Sequence, residues 1–208
     1  MSYNIVFLTG PPGSGKASLG RELARNYKIY YLSIEEFLGA AVDGGNTQPL
    51  VEFCYCRGIV LMLREKIKQE RNNGHKYFLI DGFPLSFSQA FAFEKMLRMP
   101  MLVVVLKCPK EIGMKRFLDR GLPDQPIPAS DRFEILFNRF AEQETDLLQY
   151  YGAAGTLEKI DSSVDVERIY AAAATALEEK ANWGVLRHAV APVSVVDTDT
   201  DMPDVIIL

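Results

Sequence analysis

Five short, β-prone apolar runs alternate along the chain with longer segments of helical period. Strands are expected over 4–8, 29–32, 77–80, 101–106 and 156–160. Helices are expected over 16–27, 34–42, 50–70, 86–98, 109–120, 131–151 and 164–180. Asp43-Gly44-Gly45-Asn46 divides the second helix from the third, and the prolines between Gly121 and Ser130 mark a loop. Apolar strands without polar alternation are buried on both faces, so the pattern predicts a parallel sheet between two helical layers, with right-handed crossovers. After Trp183 the character changes. Val185 to Val196 is apolar, Asp197 to Asp201 is acidic, and the last four residues are Val205-Ile206-Ile207-Leu208. The expected organisation is therefore a domain over 1–183 and an extension over 184–208.

Composition narrows the class. At 208 residues the chain suits one domain, and it could bury about 70% of its unfolded surface without a disulfide or metal staple. No apolar run reaches the roughly 18–20 residues of a membrane span. The net charge of -4 argues against nucleic-acid binding driven by overall charge, while leaving room for a small basic pocket. Cys54, Cys56 and Cys108 are best read as reduced thiols, because Cys54-x-Cys56 has no second cysteine pair and His75 and His188 are the only histidines. Met1-Ser2-Tyr3 carries no basic stretch of a secretory signal, so a cytoplasmic location is expected.

The first chemistry lies between strand one and helix one, in Gly10-Pro11-Pro12-Gly13-Ser14-Gly15-Lys16-Ala17-Ser18. Glycines let such a loop curl until successive N–H groups point inward. Those donors, the helix N-terminus and the Lys16 ammonium together suit a di- or triphosphate. The plain alternative is a glycine-rich turn with a surface lysine. Asp81 ends strand three at the sheet edge where open α/β sheets bind ligands, and its carboxylate suits Mg²⁺, directly or through water. It could equally be a turn-former before Gly82. Arg116 and Arg120 are four apart, at the start of the proline-rich loop. They suit the spread negative charge of phosphoryl transfer, or else form a solvated face beside Asp119 and Glu111. Phe83, Phe87, Phe91 and Phe93 read mainly as core, some of them lining a pocket.

The hydroxyl one place after Ala17 resembles the mononucleotide kinases of the adenylate and UMP/CMP kinase family, which write Gly-Lys-Gly-Thr there. Further segments are similar to that family: Tyr31-Leu32-Ser33 before a helix; Phe78-Leu79-Ile80-Asp81-Gly82-Phe83-Pro84; Gln89 five residues on; Arg116-x-x-x-Arg120-Gly121; and Lys159-Ile160-Asp161. The resemblance covers roughly residues 3–180. It implies a P-loop fold with a five-stranded parallel sheet, an acceptor-binding insert over about 33–72 and a short lid over about 120–131. It implies transfer of a phosphoryl group from Mg·ATP to a nucleoside monophosphate by a monomer, with Mg²⁺ as cofactor. Gly10, Gly13, Ser14, Gly15, Lys16, Ala17, Ser18 and Arg116 would bind the donor nucleotide. Lys16, Arg116 and Arg120 would be catalytic, and Ser18 and Asp81 would serve the metal. Ser33, Gly82, Phe83, Pro84, Leu85 and Gln89 would line the acceptor site.

Departures from the family fall on the acceptor side. Its two phosphate-clamping arginines correspond to Gly39 and Leu85, its Thr-Gly-Asp to Ile34-Glu35-Glu36, and its lid Ser-Gly-Arg to Asp124-Gln125-Pro126. A buried phosphate dianion needs a cation. Arg57 or Arg64 on helix three is expected to supply one, and Arg132 or Arg139 to substitute on the lid side. Two alternatives stay open. The chain is a nucleotide-binding relative without acceptor chemistry, working as a binding or scaffold module, and Val205–Leu208 either adds a strand to the chain's own sheet, covers an exposed patch or inserts as a strand into a protein partner. Or it is a kinase of an uncharged acceptor, with Glu35 or Glu36 as general base.

Overall fold

A computed structural model describes residues 3–40, 58–120 and 127–186. Strand β1 (Asn4–Thr9) leads through the glycine-rich loop into helix α1 (Lys16–Asn26). Strand β2 (Tyr30–Ser33) runs directly into α2 (Ile34–Ala40). Helix α3 (Gly58–Asn72) precedes β3 (Tyr77–Asp81), and α4 (Phe87–Met96) precedes β4 (Leu102–Lys107). Then come α5 (Lys110–Leu118), α6 (Ala129–Ala153), β5 (Leu157–Asp161), α7 (Val166–Lys180) and a 3-10 turn at Gly184–Leu186. The expected elements are present to within a few residues at each described end. Cys54, Cys56, Arg57, the lid residues 121–126 and the tail from 187 lie outside the described residues.

All five strands are parallel, in the order β2-β3-β1-β4-β5. Alternation along β1 explains the two cores. Ile5 and Phe7 face one side of the sheet, and Val6 and Leu8 face the other. Phe7 meets the rings of Phe83 and Phe93, each 5.1 Å away between centroids, and the Tyr151 ring at 6.5 Å, all edge-to-face. The first core is closed by Leu63 and Ile67 of α3, Phe93 of α4 and Leu147 and Tyr151 of α6. On the second side, Leu19 and Leu23 of α1 pack with Ala173, Ala174 and Leu177 of α7 and with Trp183. Leu186 joins this core, and its carbonyl accepts a hydrogen bond from Lys28 N.

The aromatic expectation needs one correction. Phe83 and Phe93 are fully buried, but Phe87 and Phe91 are 38% and 42% exposed. Their rings lie on the outward side of α4, where Phe87 packs edge-on against Tyr150 and Lys95 sits over Phe91. The helix period places positions 87 and 91 together, four residues from 93 in neither direction, so burial of Phe93 turns both away from the core.

Strand order fixes where chemistry can occur. β1 is central, the chain winds to β2 and β3 on one flank, and it returns across β1 to β4 and β5 on the other. Loops leaving the strands' carboxyl ends part beside β1 and open a crevice there. Register brings Leu8, Ser33 and Asp81 to one level at that edge. Among the described residues no helix is long and apolar enough to cross a membrane. Truncating the hub of the first core with Phe7→Ala is expected to lower stability by about 3–5 kcal/mol in urea unfolding; a loss under about 1 kcal/mol would contradict this packing.

Candidate functional site

The glycine-rich loop is shaped by three left-handed or extended-positive residues: Gly10 (φ 151°), Gly13 (φ 73°) and Gly15 (φ 90°). Gly13 is also held from outside. A Cβ there would sit 2.0 Å from the carbonyl oxygen of Gly113 on α5, and a Cβ on Gly113 would sit 2.9 Å from the carbonyl oxygen of Pro12. Two glycines facing one another therefore let the loop press its backbone onto α5. Gly15 is the residue before α1, and no side chain caps that helix, whereas Ser86 caps α4 and Asp165 caps α7. The first N–H groups of α1 are left to the loop and to whatever binds in it.

Lys16 Nζ folds over the loop and donates to the carbonyl oxygens of Gly10 at 2.8 Å and Pro11 at 2.9 Å. Burial pulls its ammonium below the ordinary lysine range, and the Asp81 carboxylate opposes that pull. Asp81 is buried at the end of β3, and burial raises its carboxyl above the usual carboxylate range, against the opposing influence of Lys16 and of a hydrogen bond from Tyr31. That bond runs from Tyr31 Oη to Asp81 Oδ2 at 2.7 Å.

A cleft of about 270 Å³ opens along the loop. Gly13, Ser14, Gly15 and Ser18 form one side, and Arg116 and Arg120 approach it from α5 and the turn beyond. Val166, Ile169 and Tyr170 of α7 supply an apolar wall. Arg116 donates to the carbonyl oxygen of Ser162 at 2.7 Å, which ties α5 to the turn after β5. Asp161 accepts from the N–H and hydroxyl of Ser163, and these two bonds lower its carboxyl.

The family profile described as Adenylate kinase matches residues 8–156, more than two thirds of the chain. The chain belongs to the adenylate kinase family. It is 28% identical to uridylate kinase of Saccharomyces cerevisiae, over 80% of this chain and 87% of that one. It is 30% identical to UMP-CMP kinase 3 of Arabidopsis thaliana, over 80% and 85%. It is 26% identical to adenylate kinase isoenzyme 5 of Mus musculus, over 95% of this chain but 36% of that longer one.

Within this family framework, the residues expected to line an acceptor follow β2 and β3. Ser33 is buried, and its hydroxyl accepts from Glu36 N at 3.3 Å. Gly82 (φ 81°) makes the turn into Phe83 and Pro84, joined by a cis peptide. Gln89 is buried, with its side-chain oxygen accepting from Leu85 N at 3.0 Å. Glu36 is ion-paired with Arg21 of α1, which joins α2 to the donor-side helix. Of the expected replacement cations, Arg64 is bound to its neighbour Glu65 at 2.9 Å. Arg132 has its Nε buried with no hydrogen-bond partner among the described residues, and Arg139 is half-buried on the same helix.

Sequence reasoning missed Gly113, Tyr31's hydroxyl and the Val166–Tyr170 wall. A lone glycine inside a helical pattern was the available signal for the first. The other two depend on which face an element turns, which spacing alone does not settle. The glycines separate two costs. Gly15→Ala meets no atom within 4 Å and is strained only by φ, an expected loss of about 1–3 kcal/mol. Gly13→Ala adds the collision with Gly113 and should lose about 1–3 kcal/mol more in urea unfolding; equal losses would contradict the close approach.

Proposed function

We propose that the protein is an ATP-dependent phosphotransferase that moves the γ-phosphoryl group of Mg·ATP to a nucleoside monophosphate. The observation that carries this reading is the convergence of Gly13, Gly15, Ser18, Arg116 and Arg120 on one cleft at the uncapped start of α1. Backbone N–H groups there meet phosphate oxygens without a compensating rearrangement. Lys16, held over the loop by the carbonyl oxygens of Gly10 and Pro11, brings its ammonium beside them. Val166, Ile169 and Tyr170 offer an apolar surface to a nucleobase. The uridylate and UMP-CMP kinases to which the chain is similar act, by their names, on nucleotides of this class.

Asp81 and Ser18 present hard oxygen ligands, and a buried carboxylate with one oxygen already anchored fits a divalent ion of the Mg²⁺ type. An ion held there would supply positive charge to the phosphate chain of the bound nucleotide. The remaining work belongs to side chains. Lys16 and the loop amides hold the β/γ-phosphates in place. Arg116 and Arg120 balance the charge that spreads over the transferring group. Arg116 is well placed for this, because its anchor on Ser162 O limits the entropy it loses on binding. Ser33, the Gly82–Leu85 turn and Gln89 shape the acceptor side, with Arg57 or Arg64 replacing the family's acceptor-phosphate arginines and Arg132 or Arg139 substituting on the lid side.

A second reading has specific support. Glu36 is engaged with Arg21, Arg64 with Glu65, and positions 39 and 85 are glycine and leucine. A nucleotide-binding protein without acceptor chemistry has no need of free cations there. An ADP-forming coupled assay with AMP, CMP, UMP and dTMP decides between the two. Turnover with at least one of them is expected, falling at least about 100-fold in Lys16→Ala. ATP binding with no turnover on any of the four supports the second reading, and failure to bind ATP contradicts both.

A further inference from the structure

Tyr31 enters the site from an unexpected direction. It lies on β2, where register sets it beside Leu79, two residues before Asp81 on the neighbouring strand. Its ring leans over α1 and rests on Gly20. A Cβ on Gly20 would come within 2.3 Å of Tyr31 Cε2 and 3.1 Å of Cζ, so no larger residue could stand at that point of the helix without displacing the ring. Packed in this way, the ring delivers its hydroxyl to Asp81 Oδ2 at 2.7 Å. Among the described residues Tyr31 is the one hydrogen-bond donor to the Asp81 side chain, and it engages Oδ2, while Lys16 acts on the carboxylate through charge.

We infer that Tyr31 is a positioning residue for Asp81: seated on Gly20, its hydroxyl anchors Oδ2 and so presents Oδ1 to the divalent ion of the bound nucleotide. This rests on the role proposed above for Asp81. A carboxylate held by one short bond has a single rotamer to offer, and an ion with strict octahedral demands gains most from a ligand that need not be reoriented. Tyr31 touches neither substrate nor metal in this account. Its influence is confined to the metal-linked part of nucleotide binding. The β2 strand holds it from below and α1 from above, so the anchor belongs to the rigid frame of the domain rather than to a loop.

The test compares ATP affinity in excess Mg²⁺ with ATP affinity in EDTA, by calorimetry, for four proteins. The wild type should bind more tightly with Mg²⁺. Tyr31→Phe retains the ring and its packing and removes only the hydroxyl. Its EDTA affinity should match the wild type, while the Mg²⁺-dependent gain falls at least about tenfold, as for loss of a hydrogen bond to a charged group. Gly20→Ala, which displaces the ring from outside the binding machinery, should reproduce that selective loss. Asp81→Asn should remove most of the gain. An unchanged Mg²⁺-dependent gain in Tyr31→Phe, with Asp81→Asn impaired, overturns the positioning role and leaves that of Asp81 intact. A wild-type gain in Asp81→Asn overturns the role of Asp81 itself. Equal losses with and without Mg²⁺ in both Tyr31→Phe and Gly20→Ala mark a purely structural contact and also overturn the inference.

Discussion

The backbone of the 10–16 loop lies directly on α5, with Gly13 against Gly113, and the rest of the site is referred to that contact. Glycines at positive φ curl the loop, but curling alone leaves a loop free to open. Contact with α5 fixes it, and the same helix carries Arg116 into the cleft. One packing constraint therefore sets both the donors that would hold a phosphate chain and a cation that would balance its charge. The anchor of Arg116 on Ser162 O extends the frame to β5 and α7, which bring the apolar wall.

Electrostatics follows from burial. Asp81 is buried and Lys16 half-buried at the edge of the central strands, and each is pushed toward its neutral form while the other's charge resists. Such a pair gains from a ligand that brings its own balanced charges, as a metal-bound polyphosphate does. On the opposite flank the acids Glu35 and Glu36 start α2, where they favour the helix N-terminus, and Glu36 holds Arg21. A chain with a modest overall excess of negative charge thus gathers Arg116 and Arg120 at the cleft beside the glycine-rich loop and pairs Arg21 with Glu36 at the start of α2.

Much of the fold was legible because its signals are local. Short β-prone apolar runs such as Asn4–Leu8 and Met101–Leu106, alternating with helical segments, fit strands buried on both faces, and glycines permit the positive φ that the loop adopts. Lys16, Ser18, Arg116 and Arg120 were legible as candidates from the motif and its spacing, and one cleft brings Ser18 together with the two arginines. What spacing hid were contacts across the sequence. Tyr31 reaches Asp81 from another strand, Gly20 makes room for it from a helix, and Gly113 meets Gly13 from a third element. The outward turn of Phe87 and Phe91 was hidden for the same reason: aromatic residues one helical turn apart share a face, and only tertiary packing decides that Phe93 takes the core.

Backbone amide spectra of the labelled protein, recorded as Mg·ATP is added, test the central claim most directly. Phosphate bound in the loop should shift the N–H resonances of Gly13 to Ser18 strongly, with weaker shifts along Val166–Tyr170 and at Arg116 and Arg120. Absence of shifts in the loop, or shifts confined to another part of the surface, would contradict the account.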